Sequence, residues 1–397
     1  MRAFRYAVVG GGGIGSAAAY WLSRVAGADV VCLEQWDLGH RSGASEDHSR
    51  IIRLGYHAPR YTALTRSAYA AWRVVEEESG VPLVHKTGAL NIARPGTEGG
   101  EILDAYVEAM NEHDIAYERL GAVELMRRWP QFRVPEDHDA LFQADGGILD
   151  IRKAGAVHVA LARARGATVL ANAGVTAIRP TGDGVELTTE AGLFHAERVV
   201  LCAGAWNVGL LAELGVDWPI RLTQQQVTYF ATPNLRDFAP ERFPIWIWHG
   251  EDEDEYYGFP VYGEVATKAA QDLGGPPVDV QPSSWQPDAD QVRRVTRFLD
   301  RILPGYRGPE LYTRCCLYDM PPDRDFVVDV VPGHPRVAVA VGAGHAGKFA
   351  SLLGRVLADL TVDGATAFEI DAFRAERPAL TDPGFEPAYR LGGVVAT

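Results

Sequence analysis

The glycines at positions 10–13 and 15 constrain this chain more than any other feature. Gly10, Gly12 and Gly15 fit the spacing G-x-G-x-x-G. They follow an apolar run, Tyr6-Ala7-Val8-Val9, and precede a segment in which Ile14, Ala17, Ala18, Trp21, Leu22 and Val25 recur at helical spacing. A second apolar run, Val30-Val31-Cys32-Leu33, ends on Glu34. Strand, glycine turn, helix and strand in this order form a βαβ unit of the dinucleotide-binding type. The first glycine permits the tight turn, and the second lets a pyrophosphate approach the backbone. The third allows close packing of helix on strand, with the helix N-terminus facing the phosphates. A carboxylate ~20 residues beyond the turn accepts hydrogen bonds from a ribose. Glu34 holds that place and argues against a 2′-phosphate, so NADP is disfavoured, while NAD and FAD share the fingerprint.

Segments of the same kind return later. A helix is read from Tyr61, Leu64, Ala68, Trp72 and Val75, stopped by Gly80. Val199 to Cys202 runs into Gly204-Ala205-Trp206. Val337 to Val341 runs into a glycine-rich turn and a helix with Phe349, Leu352, Leu353, Val356, Leu357 and Leu360 on one face. The stretch Asp272–Asp290 is rich in proline, glycine and polar residues and is expected to be a loop. A helix with Val292, Val295, Phe298, Leu299, Ile302 and Leu303 on one face follows it. Nucleotide-type segments at the start, middle and end imply two interleaved domains.

Composition narrows the partners. The chain has 397 residues, 47% of them hydrophobic, enough to bury a core of more than one domain. With 52 acidic against 38 basic residues its formal charge is −14. Such a surface repels nucleic acid and anionic lipid, so neither is expected as a partner, and an anionic substrate needs a locally basic pocket. No apolar run approaches the ~20 residues of a membrane span. The N-terminal apolar stretch is broken by its glycines, which speaks against a signal peptide and for a cytoplasmic protein. The four cysteines, Cys32, Cys202, Cys315 and Cys316, show no CxxC and no zinc spacing, so no metal is expected.

Other motifs carry a resemblance. Arg50-Ile51-Ile52-Arg53, Cys316-Leu317-Tyr318 and Gly344-His345-Ala346-Gly347-Lys348-Phe349 resemble the monomeric sarcosine oxidase and N-methyltryptophan oxidase family. Lys86-Thr87-Gly88, Arg128-Trp129-Pro130, Gly204-Ala205-Trp206 and Tyr257-Gly258-Phe259-Pro260 follow the family order over nearly the whole chain. That family belongs to the FAD-dependent amine oxidases of the D-amino-acid oxidase group. The resemblance implies an α/β fold: a Rossmann-type FAD-binding domain over 1–84, 145–220 and 321–390. A smaller α+β substrate domain, built on an antiparallel sheet, is expected over 85–144 and 221–320. It further implies a monomer that oxidises the C–N bond of a small secondary amino acid and reduces oxygen to hydrogen peroxide.

Residue by residue, the resemblance implies FAD contacts from Gly10, Gly12, Gly13, Ile14, Gly15, Glu34 and Gln35. Further contacts are implied from Ser42, Ser45, Arg50, Val175, Gly344, Gly347 and Lys348. Cys316 matches the cysteine that bonds covalently to the flavin, with Cys315 as rival one residue away and Arg314 expected to lower the thiol pKa. Arg53 and Lys348 match the pair that holds the substrate carboxylate. Lys268 matches the lysine that assists oxygen reduction, Arg50 an arginine near the flavin ring, Tyr257 a wall of the pocket and His345 a residue lining it. The chain also departs from the family. Ser45-Glu46 and Asp47-His48-Ser49 stand where relatives carry two histidines, and Asp272, a candidate partner for Lys268, stands where they have another. Trp246 and Trp248 are expected to add bulk near the pocket. Three substrate types fit this reading: N-methyl amino acids, cyclic imino acids and sugar-modified amino acids. The rivals outside it are an NAD-dependent dehydrogenase and a flavin-binding protein without turnover.

Overall fold

The computed structural model describes residues 1–45, 47–251, 255–279 and 286–388. Two large sheets organise the chain, and the first is built on the N-terminal unit. Arg2–Val9 pairs in parallel with Val30–Leu33 on one side and with Gly192–Leu201 on the other. Thr168–Leu170 extends the sheet beyond Val30–Leu33, and Val337–Val341 extends it beyond Gly192–Leu201, both in parallel. Val30–Leu33 and Val337–Val341 are buried throughout, as expected for strands covered on both faces, which is why they read as unbroken apolar runs. All these strands run the same way, so Val9, Leu33, Leu201 and Val341 end at one edge, where open α/β sheets bind ligands.

The helix Gly13–Ala26 lies against this sheet because its contact residues are small. A Cβ on Gly15 would sit 1.9 Å from the Gly10 carbonyl oxygen. On the other flank, a Cβ on Gly354 of the helix Ala350–Asp363 would sit 2.5 Å from the Ala17 Cβ. The long helix Pro59–Ser79 begins with proline and stops at Gly80, whose φ of 68° only glycine adopts freely.

The second sheet has the order Glu310–Met320, Arg221–Phe230, Thr267–Gln271, Glu255–Phe259, Ile245–His249, Ala89–Ala93, Asp139–Gln143, Glu118–Gly121. Its pairings are antiparallel except that of Ile245–His249 with Ala89–Ala93, where two separate stretches of chain meet in parallel. A short third sheet, Arg50–Ile52, Gly147–Leu149 and Val84–Lys86, links the two layers.

Strand periodicity gives the second sheet two unlike faces. Trp246, Trp248 and Tyr256 pack on the helix Ala289–Ile302, with the Tyr256 and Phe298 rings stacked at 4.2 Å. Removing such a side chain from water contributes roughly 1.5–3 kcal/mol. Ile247, His249, Tyr257 and Phe259 occupy the alternate positions and face a cavity. The expectation that Trp246 and Trp248 crowd the pocket is therefore corrected: both belong to the core on the far face. Of the expected loop 272–290, residues 280–285 lie outside the described residues. Its first part is tied to the sheet, with Pro276 accepting a hydrogen bond from the Gln224 N–H at 3.0 Å. No helix among the described residues is long and apolar enough to cross a membrane.

Candidate active site

A single cavity of about 1140 Å³ runs from the carboxyl edge of the first sheet to the open face of the second. Gly10, Gly12, Gly13, Ile14, Glu34, Gln35, Ser42, Ser45 and Val175 line one end. Gly10 has a φ of 94°, and a Cβ there would meet the Cys202 carbonyl oxygen at 2.5 Å. Gly15, expected among the nucleotide contacts, is not part of the lining: it acts one layer below, by letting helix meet turn.

The helix that starts at Gly13 has no side-chain cap at Gly12, and its N-terminus, the positive end of the helix dipole, faces the cavity that Gly12, Gly13 and Ile14 line. Gly13 N–H donates to Ser45 Oγ at 2.7 Å, and a Cβ on Gly12 would approach that oxygen to 3.3 Å. The Glu34 carboxylate takes Gly11 N–H at 2.7 Å and Trp36 N–H at 3.0 Å, with His40 Nε2 at 3.3 Å. Burial raises its pKa, but the bonds from His40 and these amides outweigh burial and hold it below the ordinary value. An anion-accepting turn beside a fixed carboxylate fits the pyrophosphate and ribose of FAD.

The other end is cationic. Arg53 follows the strand Arg50–Ile52, with its guanidinium 4.7 Å from the Tyr56 ring centroid and 5.2 Å from that of Tyr106. Its Nη1 donates to Asn91 Oδ1 at 3.4 Å, and its buried Nε has no partner among the described residues. Lys348 sits in the turn Ala346–Phe349 that leads into the helix Ala350–Asp363, its Nζ 5.2 Å from the Tyr56 ring. Burial, and then the charge of Arg53, push its pKa well below the ordinary value. Neither cation forms an ion pair with a carboxylate among the described residues.

Between the two ends, Lys268 Nζ contacts Asp47 Oδ2 and the Ser49 carbonyl oxygen, each at 2.8 Å, and lies 4.0 Å from the Phe259 ring centroid. Burial lowers the Lys268 pKa to about 8, with Asp47 opposing. Burial would raise the Asp47 pKa, but Lys268 and Arg50 outweigh it and hold the carboxyl far below the usual carboxylate range. Tyr229 OH donates to Asp47 Oδ1, and Arg50 Nη1 stands 3.4 Å from Oδ2. Arg50 also donates to the carbonyls of Ser49 at 2.8 Å and Ala44 at 2.7 Å. The Asp272 carboxylate does not reach Lys268, as considered from the sequence; it pairs with Arg324.

Cys315 and Cys316 both line the cavity. Burial pushes the Cys316 thiol up to about 11, and the cation that opposes it most is Arg50. The expected role of Arg314 is corrected, since its guanidinium turns back over the Tyr312 ring at 4.5 Å. Tyr257 forms part of the wall, and burial raises its phenol well above the ordinary range. His345 lines the cavity with Nε2 held 2.9 Å from the Arg324 carbonyl oxygen, and burial lowers its pKa well below the usual value. Gly344 and Gly347 line the same wall. A Cβ on Gly344 would strike the Tyr318 ring at 2.2 Å. Sequence reading missed Glu255, His249 and Arg324. The first two were accessible through strand alternation with Tyr257 and Ile247, whereas Arg324 lies outside any periodic segment.

A phosphate-binding glycine turn that opens into a buried cationic pocket under a second sheet defines a dinucleotide-dependent oxidoreductase. The pattern of the FAD dependent oxidoreductase family matches residues 5–360, and the chain belongs to that family. FAD is thus the cofactor, and the NAD-dependent alternative falls away. The chain is 32% identical over 374 residues to an N-methyl-L-tryptophan oxidase of Salmonella arizonae, covering 93% of this chain and 98% of that one. It is also 32% identical to an Escherichia coli N-methyl-L-tryptophan oxidase over 376 residues, at 93% and 98% coverage. Among solved structures, NikD, described as an unusual amino acid oxidase essential for nikkomycin biosynthesis, superposes with a TM-score of 0.85. That comparison, with its Tyr258Phe form, has 28% identity and covers 94% of this chain and 97% of that one.

Proposed function

We propose that the protein is an FAD-dependent oxidase of secondary amino acids, N-methyl or cyclic, acting on the C–N bond. The observation that carries this reading is the pair Arg53 and Lys348: buried cations without an ion-pair partner among the described residues, in the cavity that begins at the nucleotide turn. Such charges are stabilised by an anion that enters with the substrate, and a carboxylate supplies it.

The residues divide the work. Arg53 and Lys348 take the substrate carboxylate, whose charge favours the protonated form of Lys348. Their positive field disfavours an ammonium, so the amine binds neutral with its lone pair available. Tyr257 and Phe259 close the cavity on the side of the second sheet and exclude water. Gly10, Gly12, Gly13, Ser45 and Glu34 hold the cofactor, with Cys316 as its covalent anchor. FAD held there would supply the two-electron oxidation of the C–N unit and the reduction of oxygen to hydrogen peroxide. Lys268, fixed by Asp47 and Ser49, supplies positive charge for the oxygen half-reaction, with Arg50 beside it. The imine product hydrolyses after release. The reading places the protein in the cytoplasm, supported by cysteines that form no disulfide among the described residues, and takes it as a monomer.

The test is a peroxide-release screen of the purified flavoprotein across N-methyl and cyclic amino acids, with the matching N-methyl amines that lack a carboxylate. Turnover of the acids and not of the amines is expected. Equal turnover of the amines would remove the carboxylate clamp from the proposal.

A further inference from the structure

Beyond the carboxylate clamp, the cavity wall carries charge that neither the cofactor nor the clamp uses. Arg324 lines the cavity, with 28% of its side chain accessible, and pairs through Nη2 with Asp272 Oδ2. Its Nε is buried and has no hydrogen-bond partner among the described residues. The residue takes a φ of 56°, a left-handed conformation that a non-glycine residue adopts at a cost and that sets the direction of this side chain. Glu255 lies on the strand next to the one that Asp272 follows, where the Asp272 N–H donates to the Glu255 carbonyl oxygen at 2.8 Å, and its charge acts on Arg324. The Glu255 carboxylate, 33% accessible in the same cavity, faces His249 Nδ1 at 3.3 Å. His249 Nε2 contacts Asn91 Oδ1 at 3.1 Å, and that oxygen also accepts from Arg53. One chain of contacts therefore joins the clamp to Glu255.

We infer that this wall reads the side chain of the substrate, and that the side chain it selects is uncharged and hydrogen-bonding, a carboxamide or hydroxyl group. The inference rests on the proposed amino acid oxidase reading and adds its substrate class. Charge arithmetic argues for it. Arg324 is already offset by Asp272, so a second substrate anion would meet the carboxylates of Asp272 and Glu255. A cationic side chain would meet Arg324 and Arg53. An apolar or aromatic side chain would remove the accessible parts of Arg324 and Glu255 from water without giving either a further hydrogen bond. A carboxamide or hydroxyl gives an acceptor to the guanidinium and a donor to the carboxylate. Sites built in this way reject the isostere that lacks the polar group far more strongly than apolar pockets discriminate by size.

The experiment uses flavin-loaded full-length enzyme and near-isosteric pairs: N-methyl-L-asparagine against N-methyl-L-leucine, and N-methyl-L-glutamine against N-methyl-L-methionine. N-methyl-L-tryptophan serves as the aromatic arm and N-methyl-L-aspartate as the anionic one. In at least one pair kcat/KM should favour the amide by ~10²-fold or more, with the tryptophan and aspartate derivatives behind it. Calorimetry on two carboxylates that cannot be oxidised, succinamate and 4-methylpentanoate, gives a readout independent of turnover; succinamate should bind at least ~10-fold tighter. The double variant Arg324→Met, Asp272→Leu removes the pair as a pair and should bring both ratios close to one. Apolar members equal to or better than the amides in both pairs, or unchanged ratios in a double variant of normal flavin content, overturn the inference. Should the variant fail to fold, the wild-type ratios alone decide. If no secondary amino acid is oxidised at all, it is the amino acid oxidase reading that fails, while the calorimetric ratio still tests the wall.

Discussion

Lys268 Nζ and Asp47 Oδ2 meet at 2.8 Å in the interior, joining a strand and a connecting segment from distant parts of the chain. The side chains are 3% and 4% accessible, so this is a buried ion pair, and removal of either partner strands the other. Asp47 takes a φ of 117°, outside the range that L side chains favour, and its second oxygen accepts from Tyr229. Local conformation alone would not choose that backbone; the contacts to Lys268, Tyr229 and Arg50 hold it there.

Because Asp47 opposes the effect of burial on Lys268, the pair sets the pH range in which a cation is present. With a pKa of about 8, Lys268 loses its charge as pH rises through that value, and flavin reoxidation by oxygen is expected to slow in step. Asp47→Asn removes the supporting charge and should move that inflection to lower pH. Lys268→Met should slow reoxidation by ~10²–10³ and leave anaerobic reduction by substrate much less affected. Stopped-flow measurement of both half-reactions checks this. Equal slowing of the two would place Lys268 outside the oxygen step.

Covalent attachment has a simple chemical readout. Acid-precipitated protein is expected to stay yellow, and Cys316→Ala should release the colour into the supernatant. The thiol is pushed up to about 11 by burial, so attachment requires a nearby cation to favour the thiolate, and Arg50 is the residue placed to do so. Arg50→Met should then leave a larger fraction of flavin unattached than Arg314→Met does. Release from Cys315→Ala instead would shift the anchor by one residue, and free FAD from the wild type would remove it.

Much of this was legible in the sequence, for reasons that differ along the chain. Val30–Leu33 and Val337–Val341 announce parallel strands because burial on both faces demands unbroken apolar residues. Gly10 and Gly15 announce the turn because a Cβ at either would overlap backbone. The Trp246 and Trp248 assignment failed because bulk alone does not tell which face of a strand a residue takes; parity with Tyr257 and Phe259 across the sheet does. Arg324 carried no signal at all. Its direction is set by a left-handed residue in a connecting segment and by a partner 52 positions away.

His158 should make the protein sensitive to acid. Its ring is stacked between Tyr20 and Trp72, each 5.5 Å away, and Nε2 has no partner among the described residues. Burial lowers its pKa to about 3 from an ordinary 6.5. The folded protein therefore keeps this ring neutral while the unfolded chain takes up a proton below about 6.5. Its share of stability is fully present above that pH and is lost as pH falls towards 3, at ~1.4 kcal/mol per unit. Urea denaturation between pH 7 and 4 should show this slope, and His158→Phe should flatten it. An unchanged slope in the variant would assign the acid sensitivity to other groups.

Carboxylate binding should be coupled to proton uptake at Lys348. In the free cavity burial, and then the charge of Arg53, push the Lys348 pKa well below its ordinary value. A bound carboxylate reverses the balance, because its charge lies beside Nζ and favours the protonated amine. Binding is then linked to proton uptake, and affinity should weaken as pH rises and that proton becomes harder to obtain. Calorimetric titration of a carboxylate inhibitor in buffers of different ionisation enthalpy measures the uptake directly, and a net uptake of protons on binding is expected. Arg53→Ala should weaken binding by ~2–5 kcal/mol, since it removes a buried charge partner. The same variant lifts a repulsion from Lys348, so its pKa should rise and the uptake should shrink. Lys348→Met should abolish the uptake altogether and reduce affinity by a comparable amount. Uptake that persists in Lys348→Met would move the titrating group elsewhere, and an unchanged dissociation constant in either variant would remove that residue from the clamp.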